Sequence, residues 1–537
     1  MAAAIPVLFG TESGNAENCA DDLAKALNDA GIEARSVDME NFDSSSLASM
    51  PVAIFVSSTY GNGDPPFNAR ALLEHLQTPG LALPNLNFAV CGLGDSSFEH
   101  FAKCGKDFDA ALRAAGAHAM LDRVDCDDDF EDTFEPFQDA VVDHLKAHPE
   151  LLASSAAASE AAPVAAATSD RPTRVFDAAL VASRRLSGAN SGKWTMHYEF
   201  DVSGAAETYA VGDCFAVHPT NGPRAVEAVL GALRADASAT VSWRDEQLPL
   251  HQVLQRACLL TVTNELLDVV TALPGSASKP AALAVAGGSD AAKAYRNENH
   301  VVDVLLQNAP DGVTAQAFVA ALRKLQPRLY SVASSPAKDP KRVAFTVETL
   351  RYQKAGRTVE GVASMQLASR VEVGATVPMH FVPNAAFRFD DAQTPLIMVG
   401  PGTGIAPFRG QLEHMEARGT KRPTWLFFGH RTEADDFLYR EDLQRWRDAG
   451  VLERLDCAWS RDQAEKVYVQ DRMVEHGDEL WAWLQRGAIV YVCGDATGME
   501  PGVAHALRTI ATEHGQADAA AWFETLVAEG RYKTDVY

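Results

Sequence analysis

Three apolar runs of strand length near the start of the chain, IPVLFG, VAIFVSS and NFAVCGL, each open into a loop of small and polar residues. Amphipathic stretches such as AENCADDLAKALNDAG separate them. Apolar strands alternating with helix-period segments leave one economical solution, a parallel sheet with crossover helices on both faces. In such doubly wound sheets, ligands gather where loops leave the carboxyl ends of the strands. The pattern predicts a ligand-binding α/β domain over residues 1–148. A second alternation, PLIMVGPG, TWLFFGH, ERLDCAWS and AIVYVCGD, predicts a nucleotide-binding α/β domain over residues 391–537.

Residues 149–172 are rich in Ala and Ser, contain Pro163 and Pro172 and lack aromatics, so they read as a linker. Residues 173–390 carry strand-like runs (VFDAALVASRRL, WTMHYEFDVS, YAVGDCFAVHP, RLYSVASS, RVAFTVETLRY) that predict an antiparallel β-barrel. Helical patterns dominate an insertion at about 219–325. The expected fold class is therefore α/β multidomain. A doubly wound sheet comes first, then a β-barrel with a helical insertion, then a C-terminal α/β domain. The last residues, RYKTDVY, would ordinarily fray.

Charge narrows the partners. The net charge is −25, and residues 1–150 hold 26 Asp/Glu against 8 Lys/Arg. That sign disfavours nucleic acid and suits a basic protein partner. No apolar run approaches the roughly 20 residues of a membrane span, and the N-terminus lacks a basic signal region, so a cytoplasmic protein is expected. Eight cysteines without CxxC spacing argue against zinc, iron–sulfur or disulfide frameworks, and no metal site is expected.

The loops carry the chemistry. Thr11, Glu12, Ser13, Gly14, Asn15 and Ala16 follow the first strand and lead into a helix. Hydroxyls, a glycine and helix-start N–H groups form a cradle for a phosphate, and no lysine follows as it would in a triphosphatase loop. Ser58, Thr59, Tyr60, Gly61, Asn62 and Gly63 follow the second of these runs, and Gly94, Asp95 and Phe98 the third. Tyr60 and Phe98 could sandwich a flat heteroaromatic ring. In the second half, the guanidinium of Arg328 in Arg328-Leu329-Tyr330-Ser331 is suited to phosphate oxygens. The turn GPGTG, with Gly402 and Thr403, follows a strand and lets backbone approach a pyrophosphate. Ser460, Arg461, Lys466, Tyr468 and Gln470 offer cations and polar groups for a 2′-phosphate, where an NAD site would offer a carboxylate.

In their order and spacing these motifs resemble the diflavin reductase family across nearly the whole chain. The three N-terminal loops are similar to that family's FMN site, with Phe98 where Tyr is frequent. RLYS and Gly361-Val362-Ala363-Ser364 resemble its two FAD elements, and the resemblance adds Thr346, Val347, Glu348 and Tyr352 to the FAD lining. WSRDQAEKVYVQ resembles its NADPH stretch, although Gly502 stands where an Asp is frequent. The resemblance implies FAD, FMN and NADPH as cofactors. It further implies Ser331, Cys493 and Asp535 at the hydride-transfer centre, with Tyr537 as a movable aromatic cover. The ending RYKTDVY is similar to that of flavoprotein components of NADPH sulfite reductases, which implies the sulfite reductase haemoprotein subunit as electron acceptor. A haem-thiolate monooxygenase or other cytochrome is the alternative acceptor. A non-catalytic flavin-binding electron carrier is the alternative class.

Overall fold

The computed structural model describes residues 4–537 apart from 13, 61–62, 97–99, 128–129, 153–174, 206–207, 245, 309–311, 355–356 and 391–392. Most of the expected linker, and the candidate residues Ser13, Gly61, Asn62 and Phe98, lie outside the described residues.

The N-terminal sheet contains β1 (Ile5–Gly10), β2 (Ala34–Asp38), β3 (Val52–Ser58), β4 (Asn87–Leu93), β5 (His118–Ala119) and β6 (Val124–Cys126). Its parallel strands run in the order β2-β1-β3-β4-β5, with β6 also on β4. This is the flavodoxin-like doubly wound order, whose ligand site lies beside the first and third strands. Strand parity builds two cores. Val7, Ile54, Val56 and Ala89 face α1 (Asn15–Asp29) and α4 (Glu131–Ala147). Leu8, Phe55, Phe88 and Val90 face α2 (Phe67–Leu76) and α3 (Lys103–Ala114). Because both faces are covered, β3 reads as an unbroken apolar run. The run AHAMLDRVD gives two short strands rather than one. Arg123 interrupts it and turns to pair with Asp109 and Asp125.

The barrel begins with β7 (Phe176–Arg185), β8 (Thr195–Asp201) and β9 (Cys214–Val217). The helical insertion follows, holding a small hairpin, β10 (Thr240–Trp243) and β11 (Glu246–Pro249), and an apolar core that includes Val253, Leu266, Val304 and Phe318. Then come β12 (Arg328–Ser331), β13 (Arg342–Glu348), the hairpin β14 (Arg351–Lys354) and β15 (Arg357–Glu360), and β16 (Thr376–Val382). The barrel sheet has the order β12-β9-β16-β7-β8-β13. The N-terminal α/β segment, residues 218–328 and residues 351–366 pack as one compact unit. Barrel residues up to 217, residues 329–350 and residues 367–537 form the other. The insertion thus shares a unit with the first domain although the chain enters and leaves it from the barrel.

In the second unit, β17 (Leu396–Val399), β18 (Thr424–His430), β19 (Arg454–Trp459), β20 (Ile489–Gly494) and β21 (Tyr532–Val536) form a parallel sheet in the order β19-β18-β17-β20-β21. The chain end does not fray but becomes an edge strand. Tyr532 is buried and its hydroxyl donates to Glu500 at 2.7 Å, anchoring β21 along β20.

One phenol welds this sheet to the barrel. Buried Tyr439, at a left-handed φ of 56°, precedes helix Arg440–Asp448. Its hydroxyl lies 2.7 Å from Thr346 Oγ1 on β13 and 2.9 Å from His197 Nδ1 on β8. Arg409 covers the ring at 5.1 Å. Replacing Tyr439 by Phe strands two buried polar partners, so it should cost about 1–3 kcal/mol. Differential scanning calorimetry of Y439F would show this as a lowered Tm, whereas an unchanged Tm would show that the bonds carry no net stability.

Candidate active site

At the N-terminal sheet the phosphate loop is shaped by its own side chains. Gly14 donates its N–H to Thr11 Oγ1 at 2.7 Å and takes a φ of 88°, which a side chain would resist. The loop is fixed from below, where Thr11 N–H donates to Asn68 Oδ1 at 2.8 Å. The N–H groups of Asn15, Ala16 and Glu17 open helix α1, where no preceding turn exists to accept them, and they suit a phosphate. Glu12 turns elsewhere: its carboxylate accepts from Phe67 N–H at the start of α2 at 2.5 Å. In the second loop Thr59 Oγ1 accepts from Cys104 N–H in α3 at 3.1 Å, and Tyr60 and Asp64 bridge by backbone bonds. A side chain on Gly94 would meet the Ala102 backbone at 2.5 Å, so the third loop can lie close only as glycine. Ser58 and Gly63 stand beside these groups in the second loop, and Asp95 follows Gly94.

The second unit gathers the residues expected at the hydride-transfer centre. Ser331, at the end of β12, donates its hydroxyl to Asp535 Oδ2 at 2.6 Å. Cys493 Sγ lies 3.7 Å from that same oxygen, because β20 and β21 pair Cys493 directly with Asp535. Two sequence-distant motifs and the chain terminus therefore converge on one buried carboxylate. Burial, reinforced by the Asp535 charge, pushes the Cys493 thiol well above its ordinary value, so it is a neutral donor at physiological pH. Tyr537 closes the edge. It is 64 % exposed, its N–H donates to Gly494 O at 3.0 Å, and its hydroxyl lies 2.8 Å from Thr403 Oγ1.

Around that edge lies a cavity of about 690 Å³ at the carboxyl ends of the parallel strands. Of the candidate residues, Thr403, Ser460, Tyr468, Gln470 and Tyr537 line it, with Gly402 in the turn. Gly404 permits the tight fit, since a Cβ there would stand 2.0 Å from Cys493 O. Arg461 and Lys466 sit exposed on the strand-end segment beside this wall rather than in it. Glu348, expected at FAD, lines this same cavity and pairs with Lys193. Next to Gly502, where the family's Asp is absent, the Gln470 amide fills the space: a Cβ at Gly502 would meet Nε2 at 2.9 Å.

The remaining FAD candidates are dispersed by function. Tyr330 packs on Phe345 with ring centres 6.0 Å apart. The Thr346 hydroxyl is engaged by Tyr439, and Val347 is core. Arg328 is exposed and donates to its own neighbours, Gln326 O and Pro327 O. Leu329 packs with Cys214, Ala216 and Val382. Tyr352 is exposed on β14. Gly361 precedes helix Val362–Ser369, whose first turn holds Ala363 and Ser364 and presents N–H groups suited to a pyrophosphate.

Comparison with known proteins finds three family models along the chain. A flavodoxin model matches residues 7–138, an FAD binding domain model residues 168–365 and an oxidoreductase NAD-binding domain model residues 398–505. Together with the cavity and loops, they define an NADPH-dependent diflavin reductase using FMN and FAD. The chain is 37% identical over 542 residues to the sulfite reductase [NADPH] flavoprotein alpha-component of Bacillus subtilis (strain 168), covering 99% of this chain and 89% of that protein. The Vibrio cholerae protein of the same name (strain ATCC 39315) is 37% identical, covering 99% and 87%. The Cronobacter sakazakii one is 38% identical, covering 100% and 90%. The chain belongs to the family of NADPH sulfite reductase flavoprotein alpha-components. Among the described residues no helix is long and apolar enough to cross a membrane, and no cluster of metal-ligating side chains is present.

Sequence reading missed the supports of the centre. Asn384 stands 3.5 Å from the other Asp535 oxygen. Its own N–H donates to Asp213 at 2.8 Å, and Asp213 is fully buried and clamped by Arg388 at 2.8 and 2.9 Å. His430 and Arg431 line the cavity, and burial holds His430 below the usual imidazole value. The only sequence trace of the clamp is an acid at the mouth of a strand, Asp213, which is common enough to pass unnoticed. In thiol labelling with iodoacetamide at neutral pH, partly exposed Cys258 should react while Cys493 stays unmodified. Peptide mass spectrometry showing early modification of Cys493 would contradict the buried, neutral thiol.

Proposed function

We propose that this chain delivers electrons from NADPH through FAD and FMN to a separate haem protein, the haem-containing component of sulfite reductase. The convergence of Ser331, Cys493 and Asp535 beneath Tyr537 carries the hydride-transfer half of this reading. The named relatives and the acidic first domain support the acceptor half. NADPH supplies a hydride and the two flavins divide it into single electrons for haem iron.

The residues have separable tasks. Thr403 and Gly402 receive the coenzyme's pyrophosphate at a turn whose backbone can approach closely. Ser460, Tyr468 and Gln470 hold its adenosine end, with Arg461 and Lys466 attracting the 2′-phosphate from the rim. Asp535 keeps the Ser331 hydroxyl and the Cys493 thiol oriented, and its buried charge favours the positive nicotinamide product. Tyr537 covers the position the nicotinamide must take, so its ring moves aside in each turnover. The Thr403 hydroxyl holds that cover with a single hydrogen bond, which makes the motion inexpensive. An Ala- and Ser-rich linker lets the first domain serve two stations, and the free cysteines accord with the cytoplasm.

Asp535→Asn should slow flavin reduction by NADPH about a hundredfold or more, while NADP⁺ binding, carried mainly by its adenosine end, weakens far less. Stopped-flow absorbance with a binding titration separates the two, and an unimpaired rate would remove Asp535 from the centre. A chain ending at Val536 should bind NADP⁺ more tightly and lose discrimination against NADH. Parent-like affinity and preference would remove Tyr537 as the cover. Purification from the source cell should bring down a haem protein that the reductase reduces with NADPH. Capture of a haem-thiolate protein instead would redirect the acceptor assignment.

A further inference from the structure

Within the first compact unit, the flavodoxin-type domain rests on the helical insertion through one face, built by α1 and α4. Ion pairs and hydrogen bonds from scattered parts of the insertion cross it. Arg244, in the turn after β10, pairs with Asp21 and donates to Asn18 Oδ1 at 2.9 Å. Lys324 reaches Glu17 Oε1 at 3.2 Å. Arg323 donates to Glu131 Oε1 at 2.8 Å and lies 4.9 Å over the Phe130 ring. Arg296, only 4% exposed, bonds Asp132 at 2.9 Å and stands 3.8 Å from Glu131. Asn264 joins Arg296 to Glu135. Four cations thus meet acids on two helices of one face.

Inside that frame sits a neutral contact of different character. Gln326 extends over Gly14, so that a Cβ on Gly14 would lie 1.6 Å from Gln326 Oε1. Oε1 is buried without a hydrogen-bond partner, and Nε2 donates back to Lys324 O at 3.2 Å. The backbone behind it is fixed to the insertion, since Leu325 N–H donates to Arg256 O at 2.7 Å and Cys258 N–H to Arg323 O at 2.8 Å. Gly14 is the left-handed residue at which the phosphate loop passes into α1. A rigidly held side chain therefore occupies a socket which exists only because the loop residue has no side chain. Ion pairs tolerate sliding by an ångström; a filled socket does not.

We propose that Gln326 is a docking pin that sets where the phosphate-loop end of α1 rests on the insertion, while the surrounding ion pairs supply the attraction. The division of labour follows from the chemistry. The rim charges of Arg244 and Lys324 hold loosely and are screened by salt, which allows release, whereas shape fixes position. The proposal rests on the diflavin reading, in which the first domain must dock to receive electrons and undock to deliver them. Gln326 is thus a positioning residue that acts through the loop residue Gly14.

Two kinds of variant in the flavin-loaded full chain test this. Lys324→Gln combined with Arg244→Gln removes two rim cations without touching buried Arg296. The radius of gyration from X-ray scattering should then rise at lower NaCl than in the unaltered protein. Gln326→Ala should leave the first, NADPH-dependent flavin reduction at its normal rate in stopped flow. Onward transfer to FMN should slow about tenfold at low salt, and the difference should vanish once salt undocks both proteins. If the alanine variant fails to retain FMN, Gln326→Val, which shortens the side chain but keeps an apolar stem, should show the same split. Onward transfer at the normal rate at low salt, or scattering that ignores the lost cations, overturns the proposal. Absence of any flavin reduction by NADPH in the unaltered protein would instead overturn the reductase reading beneath it.

Discussion

The hydrogen bond from Ser331 to Asp535 is the contact on which the reductase half depends. It joins a barrel strand to the last strand of the nucleotide-binding sheet, across 204 residues of sequence. The carboxylate is nearly inaccessible, and a buried charge survives only when donors surround it. Ser331, Cys493 and Asn384 provide that environment, and Asp213 with Arg388 holds Asn384 in place. A carboxyl group held in a fixed orientation in a dry setting acts strongly on charge developing beside it. The same contact explains why the chain end is ordered: β21 has to deliver Asp535 to the centre and Tyr537 to the rim.

Much of the fold was legible because its strands are covered on both faces or alternate cleanly. IPVLFG, VAIFVSS and PLIMV announce buried parallel strands, and the glycine-bearing loops after them announce ligand sites. The chain terminus was harder. RYKTDVY has the alternation of an edge strand but too few apolar residues to declare it, and only its pairing with β20 makes it structure. AHAMLDRVD splits into β5 and β6, and Arg123 between them pairs with Asp125 and with sequence-distant Asp109.

For the site, motifs gave the residues that touch backbone turns or carry obvious chemistry; Thr403, Ser460, Tyr468, Gln470 and Tyr537 share one cavity, while Arg328, Leu329 and Tyr352 lie apart from it. What motifs could not show is which polar group a side chain has already engaged. The carboxylate of Glu12 serves the start of α2, and the hydroxyl of Thr346 serves Tyr439. Gln470 occupies the space beside Gly502. Residues such as Asn384 and Asp213 act by holding others, and no spacing rule singles out a supporting residue. The attachment of the insertion to the first domain is likewise a tertiary fact. It depends on charges drawn from five separated segments, each unremarkable alone.

Electrons enter the proposed reductase at one flavin and leave from the other. Selective removal of FMN from the purified protein, followed by single-turnover mixing with NADPH and then with a haem acceptor, tests it most directly. The account predicts that the FAD remaining is still reduced at its normal rate, that haem reduction stops, and that added FMN restores it. Haem reduction at full rate by the FMN-depleted protein would contradict the two-flavin route.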